Sequence, residues 1–259
     1  MAIDIKKMRA KLAQVKNRGG TSSNFWRPQD GEQTIRIVPT EDGDPFKDYY
    51  FHYNVGNNAG FLCPKKNFGD RCAVCDFAYK LYQEGTPDSI KMAKSFFARQ
   101  RFFSPVMVRG EEESGVRVWG YGKTAYEALL QLVLNPEYGD ITDVEAGTDL
   151  NLTYGKPPGA QFPQTNLQPR RRTSSLCEYI TDEQCRELLD SIPDFDSLFD
   201  RRTTTDVEGI LDEYLSTDET AEETSTETTH YNTETGTETG TETNESLSVD
   251  EAFEQLVGA

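Results

Sequence analysis

Apolar and polar residues alternate with a period of two in "EQTIRIVP" (32–39) and "TDLNLTYG" (148–155), which predicts half-buried strands. "KDYYFHYNV" (47–55) is aromatic and rich in β-formers. "SFFARQRFFSPVMVR" (95–109) and "GVRVWGYG" (115–122) predict two more strands, joined by the acidic loop Glu111-Glu112-Glu113. A period near 3.6 predicts helices over "AVCDFAYKLYQEG" (73–85), stopped by Gly85, and over "GKTAYEALLQLVLNP" (122–136), with Thr124 as N-cap and Pro136 as terminator. Strands outnumber helices, and the helices lie between strands. The expected class is α+β, mainly β, built on a small β-barrel with helical insertions.

The pattern changes outside the body. Residues 3–18 read as a short basic helix, with Ile5, Met8, Leu12 and Val15 on one face and six Lys or Arg on the others. Gly19-Gly20 loosens the join to the body. "TDEQCRELLDSI" (181–192) predicts an acidic helix. Residues 216–246 are low in complexity and contain "TETGTETGTET"; too few apolar groups are present to offset ordering entropy, so disorder is expected. In the terminal "SVDEAFEQLVGA", Val249, Phe253, Leu256 and Val257 share one helical face among acids, the pattern of a peptide that folds in a partner's groove. The expected organisation is a basic arm (1–20), a core (21–180) with a metal subdomain at about 51–85, an acidic, partly helical segment (181–215) and an acidic tail (216–259).

Charge sharpens that division. Residues 1–172 carry 24 Lys and Arg against 20 Asp and Glu, whereas residues 173–259 carry 3 against 24. The formal net charge of −17 thus conceals a mildly basic body attached to an acidic tail, an asymmetry that suits a polyanion ligand. No apolar run is long enough to span a membrane, and the N-terminal residues lack the apolar core of a secretory signal. Five cysteines, an odd number, point to a reducing compartment, and Cys177 and Cys185 are expected to be ordinary thiols.

The chain has only two histidines, and one of them, His52, falls beside three of the five cysteines. His52, Cys63, Cys72 and Cys75 give H-x10-C-x8-C-x2-C. Zinc takes four N or S ligands tetrahedrally, and Cys3His is one of its closed structural sets. A closed set leaves no position for water or substrate, so one structural Zn2+ is expected. Buried free thiols beside a satisfied core histidine, and a redox C-x2-C, are the other readings.

Two strands interleave rings and cations. Arg117, Trp119 and Tyr121 share a strand face, as do Arg99, Arg101 and Phe103; Lys123 follows. Bases stack on rings while cations follow phosphates, so these residues are candidate contacts for unpaired nucleic acid, whereas Phe96 and Phe102 are expected in the core. "PRRRTSS" (169–175), with Arg170, Arg171 and Arg172, is the densest basic cluster and suits phosphates. No Walker A motif, no H-x-E paired with P-C-x-x-C and no histidine beyond His52 in the body supports catalysis, so the chain reads as a non-enzyme.

The His52–Cys63–Cys72–Cys75 set, the ring-and-cation strands and the acidic tail ending in "VDEAFEQLV" together resemble the single-stranded DNA-binding proteins of T-even-like tailed bacteriophages. The resemblance implies an OB-fold with a structural zinc subdomain, zinc on those four residues, and single-stranded DNA in a cleft drawing on the 95–123 strands. It implies cooperative self-association through the basic arm. It further implies an acidic tail that regulates binding and recruits phage replication and recombination proteins, acting in the cytoplasm of an infected bacterial host during DNA replication, recombination and repair. "RRRTS" (170–174) has the composition of that family's short basic-and-hydroxyl motif, which the N-terminal arm here lacks. The alternative is a zinc-containing phage transcription coactivator that works mainly through its acidic tail.

Overall fold

The computed structural model describes residues 25–178 and 180–223. The strands are β1 (Phe25–Trp26), β2 (Gly31–Ile37), β3 (Lys47–Val55), β4 (Asn58–Leu62), β5 (Arg99–Val108), β6 (Arg117–Tyr121), β7 (Gly147–Gly155) and β8 (Gln164–Ser174). The helices are α1 (Pro64–Phe68), α2 (Ala73–Glu84), α3 (Pro87–Phe96), α4 (Lys123–Val133), α5 (Asp182–Asp190) and α6 (Thr204–Glu223). They form two compact units: residues 25–51 with 99–200, and residues 52–98 with 201–223. The expected basic arm and the terminal peptide with Val249, Phe253, Leu256 and Val257 lie outside the described residues.

The first unit is built on a mixed, largely antiparallel sheet in the order β1-β6-β5-β2-β7-β8, with β3 also pairing β5. Only the β1–β6 pair is parallel among these. The order has two ends, so the pairing leaves an open sheet where the sequence pattern suggested a closed barrel. One face carries the main core, which includes Trp26, Ile35, Ile37, Phe102, Val106, Trp119, Leu150 and Leu152. Helix α4 closes over it with Ala125 and Leu129, one turn apart, while Tyr126 stacks on Phe102 at 3.8 Å between ring centroids. The expected Thr124 cap is not used: Gly122 is the N-cap residue and the helix already includes Lys123. A smaller cluster of Val38, Met107, Val116, Leu176 and Leu188 anchors α5. Thr181 and Gln184 start that helix with a reciprocal capping box, satisfying two otherwise orphaned donors.

Cys177 and Cys185 are joined by a disulfide, contrary to the expectation of free thiols. Eight residues of separation leave the pair distant in an extended chain; the turn into α5 brings their Cα atoms to 5.7 Å, within bridging range.

In the second unit the end of β3 pairs with β4. Residues Asn54 and Gly56 take positive φ at this turn, and a side chain at Gly60 would meet the Tyr53 ring at 2.9 Å. Helix α3 was not foreseen; Thr86 caps it by accepting from the Ser89 amide, and Pro87 supplies a preset φ in its first turn. Residues 216–223, expected in the disordered tail, belong to α6. The start of α6 buries Val207, Ile210 and Leu211, and Tyr214 meets Phe96 edge-on at 5.2 Å. No helix among the described residues is long and apolar enough to cross a membrane.

Candidate metal centre and basic groove

His52, Cys63, Cys72 and Cys75 converge in the second unit, their ligand atoms all within 4.8 Å of one another. Each is placed by a local device. His52 sits in β3, and its Nδ1 lies 2.7 Å from the Phe96 carbonyl, which only a protonated Nδ1 can satisfy. That contact fixes the tautomer and turns the Nε2 lone pair toward the sulfurs. Cys63 is the N-cap of α1, Cys72 the N-cap of α2, and Cys75 lies in the first turn of α2. Three thiols therefore gather at the positive ends of two helices, where thiolates are favoured.

The separations test the fit. Cys63 and Cys75 Sγ are 3.5 Å apart, and His52 Nε2 is 3.4 Å from Cys72 Sγ and 3.5 Å from Cys75 Sγ. Zinc–ligand bonds of about 2.3 Å to S and about 2.0 Å to N give tetrahedral edges of about 3.8 Å and about 3.5 Å. The cluster thus has the size of a four-coordinate N/S metal site. His52, Cys63 and Cys72 are fully buried and Cys75 is half-buried. Hydrogen bonds from Cys72 and Cys75 pull the Cys63 thiol down to about 3, and hydrogen bonds with Cys63 and Cys72 push the Cys75 thiol far up. The donor set is what a divalent thiophilic metal requires, and it could hold such an ion with no ligand position left over.

The ring-and-cation strands are arranged differently from the expectation. Phe103, Trp119 and Tyr121 are buried, at 0%, 1% and 2% exposure, and Arg101 is buried with them. Trp119 packs 4.3 Å from the Tyr121 ring and 6.1 Å from Trp26, inside the main core. None of these rings is open to a base in this arrangement. The shared strand face was read correctly, but its charged member does not make it solvent-facing: Arg117 pairs with Glu111 at 2.6 Å at the edge of the core. Lys123 is exposed and pairs with Glu127 one turn on. Arg99 is exposed, and Phe96 and Phe102 are core residues as expected.

Arg170, Arg171 and Arg172 lie on β8, a strand the sequence pattern did not show, since a proline and a polar run break its alternation. They are exposed and border an open groove of about 1130 Å³. In the β7–β8 register, Thr148 faces Thr173 and Leu150 faces Pro169. Three arginines on β8 therefore stand opposite Asp149 alone, and this bulge re-aims their side chains out of the ladder.

A buried ionic network supports the bulge. Asp149 accepts from Arg36 Nε at 2.8 Å, from Arg109 Nη2 at 3.0 Å and from Ser174 Oγ at 3.0 Å. Arg36 Nη2 also donates to the Ser174 carbonyl, and Arg109 donates to the Ser175 and Leu176 carbonyls. Burial acts to raise the Asp149 carboxyl, but the Arg109 and Arg36 interactions prevail and hold it below the ordinary range. Burial lowers the Arg36 guanidinium. The roles of Arg36, Arg109 and Asp149 were missed because each reads in sequence as an isolated surface charge.

No protein-family model matches the chain, and no curated protein matches it.

Proposed function

We propose that this protein binds and coats single-stranded DNA without catalysis and with little sequence preference, and that the Cys3His cluster holds one structural zinc ion. The observation that carries the reading is the three-arginine bulge on β8 over an open groove lined also by Thr34, Asn151, Thr173 and Ser174 and by the acids Glu112, Asp149 and Glu178. Guanidinium forks with neighbouring hydroxyl and amide groups bind phosphate oxygens without reading bases. The connectivity fits as well. Strands β6, β5, β2, β7 and β8 pair in that order, with α4 between β6 and β7. Five strands in one continuous, open order support the OB-fold reading, since such folds are five-stranded and partly open.

Bound zinc would supply cross-linking only, tying β3, α1 and α2 together. Such sites contribute folding energy outright, about 10–16 kcal/mol in isolated peptides. In this reading the acidic tail, which shares the ligand's charge, competes for the groove at high local concentration and recruits replication proteins when displaced.

The test is fluorescence anisotropy of a labelled oligo-dT against a duplex of equal length. Tryptophan quenching is a poor direct reporter, because Trp26 and Trp119 are both core residues. The expected result is a clear preference for the single strand that weakens with salt. Equal affinity for the duplex, or no binding at low salt, would refute the reading.

A further inference from the structure

One face of the β3–β5 ladder has an unusual composition. Its directly opposed pairs are Lys47 with Phe103, Tyr49 with Arg101 and Phe51 with Arg99. Directly opposed residues share a sheet face, so this face carries three rings and three cations, and every opposed pair joins one of each. The intervening pair, Asp48 with Phe102, faces the other way, and Phe102 belongs to the main core. Rings set beside cations suit an unpaired strand of nucleic acid, bases against rings and phosphates against cations.

That face is occupied by the protein's own chain. Residues 194–200, "DFDSLFD", carry three acids, Asp194, Asp196 and Asp200, among the apolar Phe195, Leu198 and Phe199. Phe199 lies 5.7 Å from Tyr49, 5.0 Å from Phe51, 5.1 Å from Phe103 and 5.7 Å from Phe25, ring centroid to ring centroid. The Tyr49 hydroxyl donates to Asp196 at 3.0 Å. Burial and this hydrogen bond both push the Tyr49 hydroxyl up, so it stays a donor. The segment thus sets a ring among the rings and a carboxylate on a hydroxyl, as a base and a phosphate would. Phe195 and Leu198 are buried and anchor the segment, whereas Phe199 is half-buried, Asp194, Asp196 and Asp200 are exposed, and its regular structure is the short turn Phe195–Ser197.

We infer that the Lys47–Tyr49–Phe51/Arg99–Arg101–Phe103 face is a second binding surface for single-stranded nucleic acid, and that residues 194–200 occupy it as an internal mimic in the free protein. The inference rests on the proposed single-strand binding and adds to it a site distinct from the β8 groove. Binding there requires the strap to lift, so the apparent affinity is reduced by the fraction of molecules with the strap open.

The test has two arms on the full chain. Labelled oligo-dT is titrated by anisotropy into the wild type, Asp196→Asn, Phe199→Ala, and Asp190→Asn, which removes an exposed charge outside the strap. Amide hydrogen exchange of residues 194–200 is followed in the wild type with and without oligo-dT, so the answer does not depend on any variant folding. The expected result is affinity raised about tenfold by either strap change, through relief of the closed population, little change from Asp190→Asn, and faster strap exchange when oligo-dT is bound. Wild-type binding with no gain from the strap variants and unchanged strap exchange would overturn the inference while leaving the groove as the site. No binding by the wild type or any variant would overturn both.

Discussion

Asp149 is where fold and groove depend on a single side chain. Replacing it with alanine removes the acceptor of Arg36 Nε at 2.8 Å, of Arg109 Nη2 at 3.0 Å and of Ser174 Oγ at 3.0 Å. Arg36 is 0% exposed and would be left as a buried charge, with only the Asp143 carbonyl and the Ser174 carbonyl and hydroxyl as partners. Removing one partner of a buried ion pair costs about 3–5 kcal/mol, a large part of the roughly 5–15 kcal/mol that stabilises a typical domain. Urea denaturation followed by tryptophan fluorescence reads the right region, since Trp26 and Trp119 both lie in the core of this unit. The wild type adds a check on sign. The Asp149 carboxyl is depressed in the folded state, so its contribution is present above the unfolded value of about 3.9 and is lost as pH falls through the folded one. Asp149→Ala should lack that acid-side loss. A variant less than about 1 kcal/mol weaker than the wild type would show that Arg36 is satisfied by carbonyls alone and that the network does not hold the bulge.

Gly147→Ala should destabilise the same region by about 1–3 kcal/mol in urea, because its Cβ would fall 2.4 Å from both Arg36 Nη1 and the Asp143 carbonyl oxygen. Cys75→Ser should lose the bound metal, read by native mass spectrometry, and lower the far-UV circular dichroism from α1 and α2; full metal content in this variant would remove Cys75 from the ligand set. Leu188→Ala should cost about 2–5 kcal/mol by thermal melting, since Leu188 packs α5 onto Leu176 and Met107.

The Cys3His cluster that could hold a metal was legible in sequence because its signal is local and chemical: scarce donor residues, a C-x2-C spacing, and helix starts that place sulfurs. The faces of the strands were only half legible. Period two tells which residues share a side, but not whether that side meets water. On β6 the rings face inward, Trp119 and Tyr121 joining the core with Trp26, Phe102, Ala125 and Leu129, while Arg117 pairs with Glu111 at its edge. Strand β8 was hidden because an edge strand need not alternate, and because a bulge breaks its register with β7. The Cys177–Cys185 bridge depends on how α5 packs, which no spacing rule encodes. Helix α3 did leave a trace, Thr86 followed by Pro87, which was outweighed by the β-like run that begins at Ser95.

The measurement that bears most directly on the account is the salt dependence of oligo-dT affinity, compared between the wild type and a variant with Arg170, Arg171 and Arg172 all changed to glutamine. Each phosphate neutralised on a single strand contributes about −0.7 to the slope of log affinity against log salt. The account predicts a steep wild-type slope and a variant slope shallower by about 2, with the fold intact by circular dichroism. Identical slopes, with binding retained, would contradict it by showing that the bulge does not contact phosphates.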